Sequence, residues 1–153
     1  MTQNRRQKSW IRAFQAATNT TYANAHRRQT NWPTLAEVME EHERLGNFGI
    51  GVFNPLRLTA GQRRAELAVQ RESLRRYEDL VAQTALWMRD NITPIKTPTV
   101  GSYSVKHLIQ RATGVYMSNG VFIASAFIVG YTFKYDQPNV LFGMSRRDLK
   151  KLG

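Results

Sequence analysis

At 153 residues the chain sets Lys+Arg 22 against Asp+Glu 11, a formal net charge of +11, and has no cysteine. Disulfide frameworks and thiolate metal centres are thereby excluded. An excess of cations this large points to a polyanionic partner: DNA, RNA, an acidic protein face or an anionic membrane.

The first residues, MTQNRRQKSW, are basic, and no apolar run of the kind found in a signal peptide follows them. The expectation is a cytoplasmic protein whose residues 1–8 form a flexible basic arm. In 9–29, Trp10, Ile11, Phe14 and Ala17 share a helical face, and Thr18, Asn19 and Thr20 interrupt it. A second helix through Tyr22, Ala25 and His26 then ends in Arg27 and Arg28. This short-turned pair reads as a helix-turn-helix with a cationic second helix, which makes Arg27 and Arg28 candidate nucleic-acid contacts.

Trp32-Pro33 halts what precedes, and Thr34 with Glu37 forms a capping box. The helix that follows buries Leu35, Val38, Met39 and His42 and is expected to end at Gly46. Its carboxylates, Glu37, Glu40, Glu41 and Glu43, read as a solvated face favoured near a helix N-terminus rather than as a metal site. No metal and no cofactor are expected. Residues 47–58 read as a short strand or a tucked apolar loop. Gly49 and Gly51 lack the third glycine and preceding strand of a dinucleotide fingerprint.

Residues 59–91 contain no Gly or Pro after Gly61 and read as one long helix. Leu67, Leu74, Val81 and Met88 recur by sevens, a partial heptad suited to packing across a bundle or to a homodimer through residues 65–88. Arg57, Arg64 and Arg71 also step by seven and continue into Arg75. They form either a solvated face with helical ion pairs or a rail for phosphates. Residues 92–100, with Pro94 and Pro98, read as an extended linker and hinge.

Within 101–153, Ser102 or Ser104 starts a helix with Val105, Leu108, Ile109 and Ala112 on its apolar face. Lys106, His107, Gln110 and Arg111 lie opposite, and Gly114 ends it. A second helix, capped by Ser118 or Asn119 and closed by Gly130, is apolar nearly all round and therefore belongs inside a core. Ala112–Phe133 carries no charge, yet Gly and polar residues interrupt it too often for the roughly 20 apolar residues of a membrane span. No membrane insertion is expected. Tyr131, Phe133 and Tyr135 alternate with polar residues, and Val140-Leu141-Phe142 returns, giving a β-hairpin. Ser145 caps a terminal helix that exposes Arg146 and Lys150.

The segment S-Y-x-x-K-H-x-x-x-x-x-T-G-x-Y-x-S-N-G-x-F-I-x-x-A, Ser102 to Ala126, resembles segments of small uncharacterised proteins of bacterial plasmids and phages. The stretch around Tyr22 is similar to helix-turn-helix segments of the same proteins. The resemblance implies an accessory role in a mobile element and supplies no catalytic residues.

The sequence therefore predicts a mainly α fold, a helical bundle with helix-turn-helix-like pairs plus a small C-terminal β-hairpin. The leading function is nucleic-acid binding, DNA before RNA, accessory or regulatory. The contacts are Arg27, Arg28, Arg64, Arg71, Arg75, Lys106, His107, Gln110 and Arg111, with Arg146 and Lys150 steadying the backbone. An inhibitor that docks on an acidic host protein is the alternative. A metal-independent ribonuclease with His107 as general base is the second alternative, although no paired carboxylates accompany it. A non-enzyme is expected.

Overall fold

The computed structural model describes residues 31–153. The arm, the N-terminal helix-turn-helix and the candidates Arg27 and Arg28 lie outside the described residues. The chain runs α1 (Leu35–Glu41), β1 (Leu45–Gly46), β2 (Gly49–Ile50), a 3-10 turn, α2 (Ala60–Arg75) and α3 (Glu78–Asn91). It continues with β3 (Val100–Gly101), α4 (Ser102–Thr113), α5 (Asn119–Val129), β4 (Phe133–Asp136), β5 (Asn139–Phe142) and α6 (Arg146–Lys150).

The mainly α architecture is overturned. The described residues form a mixed α/β fold with two small antiparallel sheets. One is the β1–β2 hairpin, in register Leu45↔Ile50. The other has three strands in the order β3-β5-β4. The expected hairpin is present as β4–β5, but it is joined by a strand from the presumed linker. Residues 92–100 lie along the far side of β5: Ile95 N–H donates to the Gly143 carbonyl, Thr99 N–H to Phe142, and Ser145 N–H to Thr93. Strands of two residues are too short to show an alternating pattern, so pairing partners rather than local sequence create them.

The capping box at Thr34 forms as read, with Glu37 N–H donating to the Thr34 hydroxyl. The helix nevertheless stops at Glu41, because the chain must turn to reach β1. Arg71 of α2 braces the turn between α1 and β1. Its guanidinium donates to Met39 O at 2.8 Å, Leu45 O at 2.9 Å and His42 O at 3.0 Å.

The single helix expected over 59–91 is two helices, broken at Arg76–Tyr77. No Gly or Pro marks the break. The charges do: Arg75 and Arg76 close one helix, and Glu78 and Asp79 open the next, each matching the local sign of the helix dipole. The halves also have different tasks, since α2 is mostly exposed while α3 buries Leu80 to Met88 apart from Ala82. Leu74, Val81 and Met88 of the heptad series are fully buried within this one chain. Core packing thus accounts for most of the seam considered for dimerisation.

The centre is α5, as its composition required. Gly120 to Ile128 are all buried, and the helix packs against α1, α3, α4 and both sheets. Ser118 caps it by accepting from Val121 N–H. Gly120 lets the β1–β2 turn come into contact: a Cβ there would sit 2.0 Å from the Gly46 carbonyl oxygen. Ser102, expected as a cap of α4, instead accepts from Val140 N–H, and Gly101 takes the cap position. Tyr131 places its hydroxyl 2.6 Å from the Ile92 carbonyl, which it can donate to, sealing the end of α3. Among the described residues no helix is long and apolar enough to cross a membrane.

Candidate nucleic-acid interface

The polar face of α4 looks onto a cleft of about 670 Å³. Tyr103, Lys106 and His107 project from α4 at helical spacing. Tyr116 comes from the α4–α5 connection, Ser118 and Asn119 from the start of α5, Asn47 and Phe48 from the β1–β2 turn, and Gln70 from α2. Pro138 and Asn139 of the β4–β5 turn complete it. Among the described residues no carboxylate lines the cleft.

Lys106 sits at its base. The residue is only 4% exposed, yet its ammonium meets no acid among the described residues. It donates to Gln110 Oε1 at 2.9 Å and lies 5.3 Å from the Tyr103 ring centroid and 5.5 Å from that of Tyr116. Both rings are outward-facing, 55% and 60% exposed. Ring quadrupoles stabilise the ammonium in place of an anion, while burial pushes its pKa below the ordinary lysine value. Gln110 also accepts from Met117 N–H, so one amide fixes both the lysine and the chain leading to α5. His107 packs edge-on against Tyr103 at 4.5 Å between centroids.

The opposite wall is a set of interlocked amides. Ser118 Oγ donates to Asn47 Oδ1 at 2.6 Å, and Asn119 Nδ2 donates to Asn139 Oδ1 at 3.0 Å. Gly120 N–H donates to the Asn47 carbonyl and Asn47 N–H to Gln70, which ties the turn to two helices. Amides on a recessed wall can read the donor and acceptor edges of a base.

The remaining candidates fall in three places. Arg111 is exposed on α4 beyond His107. Arg64 and Arg75 are exposed on α2, where Arg75 pairs with Glu72 at 3.4 Å. Arg71 is committed to the carbonyls at the end of α1. Arg146 and Lys150 line a separate groove on the other side of α4. The structure therefore joins Lys106, His107 and Gln110 in one site and does not extend the arginine stripe into it.

Tyr103, Tyr116 and the amide wall were absent from the sequence-derived contacts. Tyr103 had a usable signal: it stands three residues before Lys106, on the same helix face. Asn47, Gln70 and Asn139 had none, since only the tertiary fold brings them together. Comparison with protein-family models, with curated proteins and with solved structures finds no match to this chain.

Proposed function

We propose that the protein binds single-stranded nucleic acid in this cleft. One observation carries the reading: a recessed lysine flanked by two exposed tyrosine rings, in a site without carboxylates, on a chain of net charge +11. Aromatic faces stack on unpaired bases, whereas paired bases in a duplex hide theirs, and the cation supplies the phosphate contact. Lys106 and His107 meet the backbone, Arg111 extends the positive track, and Tyr103 and Tyr116 take bases. The reading is one of binding rather than cleavage. Among the described residues His107 is the one histidine lining the cleft and no Asp or Glu side chain stands beside it, so no His–His or His–carboxylate pair supports acid–base cleavage. A role in a mobile element rests on the resemblance of Ser102–Ala126 and of the stretch around Tyr22.

The test is fluorescence anisotropy with labelled single-stranded DNA, single-stranded RNA and duplex DNA, each from about 50 to 200 mM salt. Single strands should bind more tightly than duplex, with affinity falling steeply as salt rises. Tyr103→Ala plus Tyr116→Ala should weaken single-strand binding by at least about tenfold, given the roughly 1–3 kcal/mol of each stacked base. Equal binding of duplex and single strand, unaffected by that double substitution, would sink the proposal.

A further inference from the structure

On the far side of α4 lies a second concavity of about 470 Å³, beside the edge strand β3 and under α6. Its floor is aliphatic: Val100, Val105, Leu108 and Leu149. Arg146 and Lys150 stand on its rim with Gly153 beside them, and among the described residues no Asp or Glu side chain and no aromatic ring lines it. Asp148, the acid of α6, is turned to other work, accepting from Thr93 N–H at 2.8 Å. Among the described residues the Arg146 guanidinium makes a long 3.5 Å contact to the Thr99 carbonyl.

We infer that this groove docks an acidic peptide segment of another protein, seating an aliphatic side chain on the floor and carboxylates against Arg146 and Lys150. Charge complementarity selects an anionic occupant, because two exposed cationic side chains border a patch that holds no acidic side chain among the described residues. The floor selects its chemistry. Without a ring there is nothing for a base to stack on, so a nucleic-acid strand would gain only phosphate contacts here. Val105 and Leu149 are recessed, 2% and 7% exposed. A flat lipid surface cannot reach them, but a side chain projecting from a peptide can. β3 has a strand neighbour on one side only, so its outer edge is positioned to offer main-chain groups to an extended segment.

The probe is a fluorescein-labelled peptide, Asp-Glu-Leu-Asp-Leu-Glu-Asp, with two controls: leucines replaced by serine, and carboxylates replaced by their amides. The full-length protein should bind the first and neither control. Arg146→Ala plus Lys150→Ala, both exposed positions, should weaken binding at least about tenfold with unchanged circular dichroism. Lys106→Ala should leave it intact, and amide shifts on titration should gather at Val100, Leu108 and Leu149. The proposal is overturned by equal binding of the serine control, by insensitivity to the Arg146/Lys150 double variant, or by no binding up to about 1 mM peptide. Binding to phosphatidylserine vesicles in place of the peptide would overturn it too.

Discussion

Arg71 and Lys106 look alike in the sequence: each is a cation on an otherwise polar helix face. The fold gives them opposite roles. Arg71 turns inward across the α2–α1 contact and spends its guanidinium on three backbone carbonyls. Lys106 is more deeply recessed, yet its neighbours are neutral: one amide and two rings. A cation whose acceptors are backbone atoms of the same chain holds the chain together. A cation held in place by polarisable, uncharged groups keeps its attraction for an anion from outside. Net charge counts both equally, and only geometry separates them.

That contrast can be broken by substitution. The largest effect is expected at Arg71→Ala. It removes the guanidinium from the Met39, His42 and Leu45 carbonyls between α1 and β1, of which His42 O keeps the Leu45 N–H, and should cost roughly 2–3 kcal/mol in urea unfolding, at about 1 kcal/mol or more for each acceptor left bare. Arg71→Lys should recover little, since a point ammonium cannot replace the fork. A loss of nucleic-acid binding in Arg71→Ala at full stability would reverse the assignment. Gly120→Ala comes next. Its methyl would press on the Gly46 carbonyl, and the expected loss is about 2 kcal/mol by overpacking.

Lys106→Met should divide the two roles cleanly. Unfolding midpoints should stay close to the parent, because a neutral chain of similar length fills the same space without the cost of desolvation. Affinity for single strands should fall about tenfold, equivalent to about 1.4 kcal/mol, with a shallower salt dependence. A Lys106→Met protein that unfolds easily would place Lys106 with Arg71.

The smallest effect is a pH dependence from His42. This residue is 6% exposed, stacks on Phe127 with centroids 3.8 Å apart, and shares a hydrogen bond with the Tyr135 hydroxyl. Burial lowers its pKa from 6.5. The unfolded chain therefore takes up the proton first, so this contribution is complete above about pH 6.5 and is lost as pH falls below it. The loss should be at most about 1.4 kcal/mol per pH unit. Urea midpoints at pH 7.5 and 5.5 check it, and His42→Asn should flatten the difference.

Where a feature rests on local chemistry, the sequence showed it. The Thr34 capping box, the Ser118 cap, the terminal glycines of α4 and α5 and the buried nature of α5 all follow from residue type and spacing. Long-range effects were hidden. Val100–Gly101 is a strand because β5 passes beside it, and nothing in ITPIKTPTVG alternates. The break at Arg76–Tyr77 was legible in its charge reversal, but the heptad spacing of Leu67, Leu74, Val81 and Met88 masked it. The candidate cleft was half legible: Lys106, His107 and Gln110 share a face by periodicity. Its far wall comes from Asn47, Gln70 and Asn139, each brought in by a different element.

The contact between the β1–β2 turn and the start of α5 carries one more consequence. Behind the amide wall the backbone of Gly46, Asn47 and Gly120 is so close that a single added carbon collides. Such a wall cannot be reshaped without disturbing the core behind it. The rim across from it is built from the side chains of Tyr103, His107 and Tyr116, two of which hold the Lys106 ammonium. The site thus has a fixed half and an editable half. Ligand preference can be retuned from the exposed side chains of α4 and the chain after it, while the amide wall stays as it is.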